Sequence, residues 1–73
     1  PTTTIKFSIP KTSFVTIKIY DALGIEVSTL INTEKIAGNH SVEFNASQLA
    51  SGIYFYRMQA GDFIKTKKLV LLK

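Results

Sequence analysis

The chain has 73 residues, nine Lys and Arg against five Asp and Glu, 45% hydrophobic residues and no Cys. A chain this short folds as one domain around one small core, which excludes two-domain and cofactor-wrapping architectures. Its ordinary apolar fraction and modest charge exclude disorder, and the absence of Cys excludes disulfides, thiolate metal centres and thiol nucleophiles.

The hydropathy period is two along nearly the whole chain. Ile5, Phe7 and Ile9 alternate with Lys6 and Ser8, the pattern of a half-buried strand, and Pro10 ends it because proline cannot donate to a ladder. Val15, Ile17 and Ile19 alternate with Thr16 and Lys18, which predicts a second strand from Phe14 to Tyr20. Asp21-Ala22-Leu23-Gly24 is a turn: Asp21 bonds nearby backbone N–H groups, and Gly24 takes a positive φ beside a bulge. The third strand, from Ile25 to Ile31, then folds back on the second as an antiparallel hairpin.

Asn32 to Asn39 reads as the longest polar connection, with Gly38-Asn39 as a turn signal. His40, Val42 and Phe44 share one face of a fourth strand, and Ser41, Glu43 and Asn45 the other. Residues Asn45 to Ala50 are expected to form one helical turn capped by Asn45 or Ser47, with Leu49 plugging the core and Ser51-Gly52 ending it. Ile53 to Gln59 is apolar on both faces at first, the mark of a central strand. Ala60-Gly61-Asp62 turns the chain into a last strand from Phe63 to Lys73, lysine-rich in its first half and apolar in its second. Six short strands with glycine turns predict an all-β fold, a small antiparallel β-sandwich or barrel. A sandwich of this kind has about seven strands, so the order contains a vacancy and an exposed edge.

Little in this inventory supports catalysis. His40 is the only histidine, and a metal or nucleophilic role needs partners that are missing, so its ring is expected to pack on a sheet face. No serine lies in a Gly-x-Ser-x-Gly elbow. Asp21 and Asp62 stand beside turn glycines, no Asp-x-Asp calcium pattern occurs, and no glycine-rich phosphate loop occurs. Asn39-His40-Ser41 and Asn45-Ala46-Ser47 match the N-glycosylation pattern at about the frequency composition alone would give. Tyr54, Phe55 and Tyr56 beside Arg57 resemble a stacking platform for bases or sugars, but aromatics of a central strand belong to the core, and the basic residues cluster in another strand. No cofactor, metal or nucleic-acid partner is expected.

The charge is concentrated at one end. From Lys65 to Lys73 there are four lysines and no acid. Such an ending suits an acidic partner, or a lysine-protected sheet edge. The longest apolar runs, Ile53 to Tyr56 and Leu69 to Leu72, are four residues each, whereas a spanning helix needs roughly 20. The start at Pro1, with no basic or apolar leader, suggests a piece processed or excised from a larger protein.

Val15-Thr16-Ile17-Lys18-Ile19-Tyr20-Asp21-Ala22-Leu23-Gly24, followed by Glu26-Val27 and Leu30, resembles the core of the C-terminal sorting domains of type IX secretion. The second half is similar in the same order: Gly38-Asn39-His40, Val42 to Ala46, Leu49, Ser51-Gly52 with Ile53 to Arg57, Gly61, and the ending Lys67 to Lys73. Two features depart from the family. Only Pro1-Thr2-Thr3-Thr4 stands where an Asn-Pro opening is usual, and Ile25 stands where a basic residue often follows the turn glycine. The immunoglobulin-like domain of flagellar hook-capping proteins shares the Tyr-Asp-x-x-Gly hairpin, but the lysine ending favours the sorting family.

The resemblance implies an immunoglobulin-like sandwich of six to seven strands, here a single domain over residues 1–73. It implies a C-terminal address on an exported cargo protein of a Gram-negative bacterium, secreted or held at the cell surface after passing the periplasm. The implied partners are the outer-membrane translocon, a sortase-like surface protease and the upstream cargo of the same precursor. The expected recognition residues are Lys65, Lys67, Lys68, Leu69, Val70, Leu71, Leu72 and Lys73, and the expected turn residues are Asp21, Gly24, Gly38, Gly52 and Gly61. The competing reading is structural: a sandwich lacking a strand can self-associate through edge strands as a surface or adhesin subunit, or serve as a carbohydrate-binding accessory module.

Overall fold

In the computed structural model, which describes residues 2–72, the core begins with the strand Ser13–Asp21 (β2). Its Val15, Ile17 and Ile19 are fully buried. Three β-branched residues at period two suit a pleated surface covered on one face. β2 lies between Glu26–Lys35 (β3) and Gly52–Ala60 (β5), and β5 lies between β2 and Phe63–Leu71 (β6). The order of this four-stranded sheet is β3-β2-β5-β6, every pairing antiparallel. Across from it, Thr2–Ile9 (β1) and Gly38–Asn45 (β4) form an antiparallel two-stranded sheet. The chain changes sheet from β1 to β2, from β3 to β4 and from β4 to β5, so the result is a six-stranded antiparallel sandwich.

The core fills the space between the layers in two neighbouring groups. Ile5, Ile19, Phe44, Ala46, Tyr54 and Leu71 form one, and Ile9, Val15, Ile17, Ile31, Met58 and Ala60 the other. Leu30 and Val42 touch both. Leu30 can do so because β3 skips a residue in its pairing: Ile17 faces Ile31 while Lys18 faces Thr29. That bulge turns two consecutive apolar residues toward one face, which strict alternation forbids.

Several local expectations are corrected. β3 continues to Lys35, so the connection to β4 is only Ile36-Ala37, and Gly38-Asn39 open β4 instead of forming a turn. The polar residues of Asn32 to Lys35 are strand residues because Thr16, Val15, Phe14 and Ser13 supply ladder partners for them; pairing overrides local composition. Ile25 lies in the turn, and β3 starts at Glu26. Residues 46–50 form an irregular turn in place of a helical one. The Asn45 side chain accepts from the Ser47 N–H at 3.0 Å, and the Leu49 N–H donates to the Ala46 carbonyl at 3.0 Å. Ala46, not Leu49, is the deeply buried residue there, with Leu49 half-buried against the core.

Both hairpin turns follow from their residues. In the first, the Gly24 N–H donates to the Asp21 carbonyl (3.0 Å), and one Asp21 carboxylate oxygen accepts from the N–H groups of Leu23 (2.9 Å) and Ile25 (3.0 Å). Gly24 takes φ +86°, a region closed to most L-residues. In the second, Ala60 faces Phe63 across Gly61-Asp62, and Gly61 has φ +59°. A positive φ at the first of two loop residues makes a II′ turn, whose twist matches the strands it joins. Gly52, by contrast, opens β5 rather than lying in a turn.

Candidate functional site: the terminal strand and the face beside it

β6 carries most of the residues singled out for recognition. It pairs with β5 alone, leaving its other edge unpaired. Residues Phe63 to Lys68 are all exposed, Leu69 is half-buried and Leu71 is buried. Val70 and Leu72 are exposed. The apolar ending is therefore divided: Leu69 and Leu71 anchor the strand to the core, and Val70 and Leu72 are offered to solvent. Lys73 lies outside the described residues, as does Pro1.

The lysines are divided in the same way. Lys65 is paired with Met58 and Lys67 with Tyr56, and directly paired residues share a face. Met58 is a core residue, so Lys65 and Lys67 lie on the inner face of the large sheet. Lys68 is paired with Phe55 on the outer face. There Phe55 also stands opposite Tyr20, and Arg57 stands opposite Lys18. The separation of aromatic and basic residues by strand in the sequence is thus undone by pairing, which sets Lys68 and Arg57 beside Phe55. The aromatics form no exposed row: Tyr54 is buried and Phe55 and Tyr56 are half-buried.

Lys65 and Lys67 are exposed although they lie on the inner face, and the reason is coverage. Two strands cannot roof four, since each strand adds only about 4.8 Å to the width of a sheet. β4 lies on the β3 side of the small sheet, in contact with β3. β1 forms its other edge and stops short of β6. A groove of about 290 Å³ is left between β1 and β6, with Lys6, Phe7, Tyr56, Met58, Phe63, Lys65 and Lys67 among its lining. Lys6, Phe7, Tyr56, Met58 and Phe63 join the two lysines only through topology. No sequence signal connects β1 with β6 at a separation of some sixty positions.

His40 packs as its alternation predicts. Its ring stacks on Phe7 with centroids 5.4 Å apart, and its Nε2–H donates to the Ile36 carbonyl at 2.7 Å. That bond holds the short β3–β4 connection against the small sheet. On the outer face Glu26 accepts from Thr29 Oγ1 at 2.9 Å and pairs with Lys18 Nζ at 3.4 Å. The Thr29 hydrogen bond, and secondarily Lys18, hold the Glu26 carboxyl below its usual range. Among the described residues no group of three or more His, Cys, Asp or Glu side chains is placed to hold a metal ion, and no helix is long and apolar enough to cross a membrane.

A family model described as "Secretion system C-terminal sorting domain" matches residues 1–72. No curated protein and no solved structure matches significantly. Members of this family act as sorting signals for type IX secretion, which carries its cargo through the periplasm to the cell surface or the medium. The matched residues span all six strands and both glycine hairpins, and on that match the chain belongs to the secretion system C-terminal sorting domains.

Proposed function

We propose that the chain is one sorting domain of a larger exported precursor, and that the outer-membrane translocon reads it through the segment Lys65 to Lys73, which begins in the terminal strand. The observation that carries this reading is the division within β6. Leu71 is buried and fixes the strand on the body of the domain. Lys65, Lys67, Lys68 and Val70 stand exposed along a strand with one free edge, and Leu72 stands exposed just past its end. A recognition tag needs both parts, a self-supporting body and a distinctive exposed end. Free backbone groups along an edge add affinity by strand addition, and alternate side chains add specificity.

In this reading the chain acts by being recognised, and the chemistry belongs to its partners. A sortase-like surface protease severs it from the upstream cargo after export. The same free edge also permits pairing with a second copy, which light scattering over a concentration series would detect as departure from the 8.1 kDa monomer mass.

The test is export of a reporter carried by this chain in a type IX-competent bacterium. Deleting Leu69 to Lys73 leaves the reporter inside the cell. Because that deletion also removes the buried Leu71, the decisive variant is Val70→Ser with Leu72→Ser, which touches only exposed positions. Retention of that variant with the fold intact supports recognition by the strand. Normal surface display of both variants would overturn it.

A further inference from the structure

The groove between β1 and β6 has the shape of a missing strand. β1 is bonded to β4 on one side only, so its other edge offers unpaired N–H and C=O groups along the groove. The floor is apolar: Met58 belongs to the core, Tyr56 is half-buried, and Phe63 is 52% exposed beside them. The charges lining it are all of one sign. Lys6, Lys65 and Lys67 are present and no acid is. Among the described residues the one ion pair is Lys18 with Glu26, on the far side of the large sheet, so none of these three lysines is neutralised by another described residue.

We propose that this groove receives an extended segment of a partner protein, rich in alternating acidic and apolar residues, laid down as a third strand against β1. Each part of the groove selects one property of that segment. The free edge requires extended backbone without proline at the paired positions. The floor takes apolar side chains from alternate positions, and burying Phe63 removes a large aromatic from water. The exposed lysines extend the floor with their methylene stems while keeping their ammonium groups hydrated, within reach of carboxylates at the mouth. Like-charged segments are rejected, since three uncompensated lysines repel them.

The site shares Lys65 and Lys67 with the segment proposed for translocon reading, but peptide binding to the groove and export of the Val70→Ser/Leu72→Ser variant test the two separately. The groove uses the inner-face lysines and excludes Lys68, Val70 and Leu72, which lie on or beyond the other face.

The experiment is a titration of the ¹⁵N-labelled chain with a capped peptide of alternating Glu and Val, about eight residues long to match a strand. Amide shifts are expected at Lys6, Phe7, Tyr56, Met58, Phe63, Lys65 and Lys67, weakening as salt is raised. Binding is expected to fall about tenfold in Lys65→Glu/Lys67→Glu, a few-fold for each exposed ion pair lost, and to be unchanged in Lys68→Glu. A Lys/Val peptide, and a Glu/Val peptide with proline at its centre, are expected not to bind. Absence of binding at millimolar peptide, shifts confined to β3 or to the free edge of β6, or equal weakening by Lys68→Glu would each overturn the proposal. So would a precursor-extended chain whose own preceding residues fill the groove and exclude the peptide, since the occupant would then be the same chain.

Discussion

The hydroxyl of Tyr54 donates to the Ala50 carbonyl at 2.8 Å, four residues back along the chain. Tyr54 is 8% exposed and stands at the start of β5, just after the chain crosses between the sheets. The bond ties the irregular turn to the core strand that follows it, an arrangement characteristic of immunoglobulin-like sandwiches at the same kind of corner. The ring supplies apolar area and the hydroxyl satisfies a carbonyl that no ladder reaches. Tyr54→Phe is expected to keep the ring packing and to destabilise the chain by about 1 kcal/mol, the usual net worth of such a bond. Urea unfolding with an unchanged m-value would show it.

Ile17 is the severest test of the core. It is fully buried on the central strand, opposite Met58 and Ile31. Replacing it with Ala removes three methyl or methylene groups and leaves a cavity, at a cost of about 2–5 kcal/mol. A single core in a chain below about 80 residues rarely supplies more than about 3–5 kcal/mol in total. Ile17→Ala is therefore expected to be largely unfolded at room temperature, seen as collapsed amide dispersion in the NMR spectrum.

Gly24 tests backbone strain without a packing term. Its φ is +86°, and a Cβ there would meet nothing within 4 Å. Gly24→Ala is expected to cost about 1–2 kcal/mol through the left-handed backbone alone. Gly24→Asn is expected to cost less, because Asn visits that region more readily. Equal stability of all three chains in urea would refute the assignment.

Glu26 sets a weak pH dependence. Its folded pKa is lowered, chiefly by Thr29 and then by Lys18. A lowered folded value means the ionised form favours folding. The contribution is present above the unfolded carboxylate pKa and is lost as pH falls through the folded one. The Glu26 side chain is expected to titrate below a free glutamate in an NMR pH series. In Thr29→Val its midpoint is expected to move back toward the free value.

Much of the fold was legible because strand periodicity is a local property. Ile5-Phe7-Ile9 and Val15-Ile17-Ile19 show which side chains face inward before any partner is known. Asp21 to Gly24 and Gly61-Asp62 specify their turns through side-chain bonding and positive φ, both contained within a few residues. The order of motifs along the chain also carried the family, later matched over residues 1–72. What the residues could not reveal depends on pairing at a distance. Asn32 to Lys35 look like a loop but become strand because β2 is long enough to pair them. Leu30 reaches the core only through a bulge that its partner strand imposes. Alternation along the last strand already sets Lys65 and Lys67 on the opposite face from Lys68; tertiary structure decided which of those faces looks toward β1. It alone left that inner face unroofed, because a two-stranded layer cannot cover a four-stranded one.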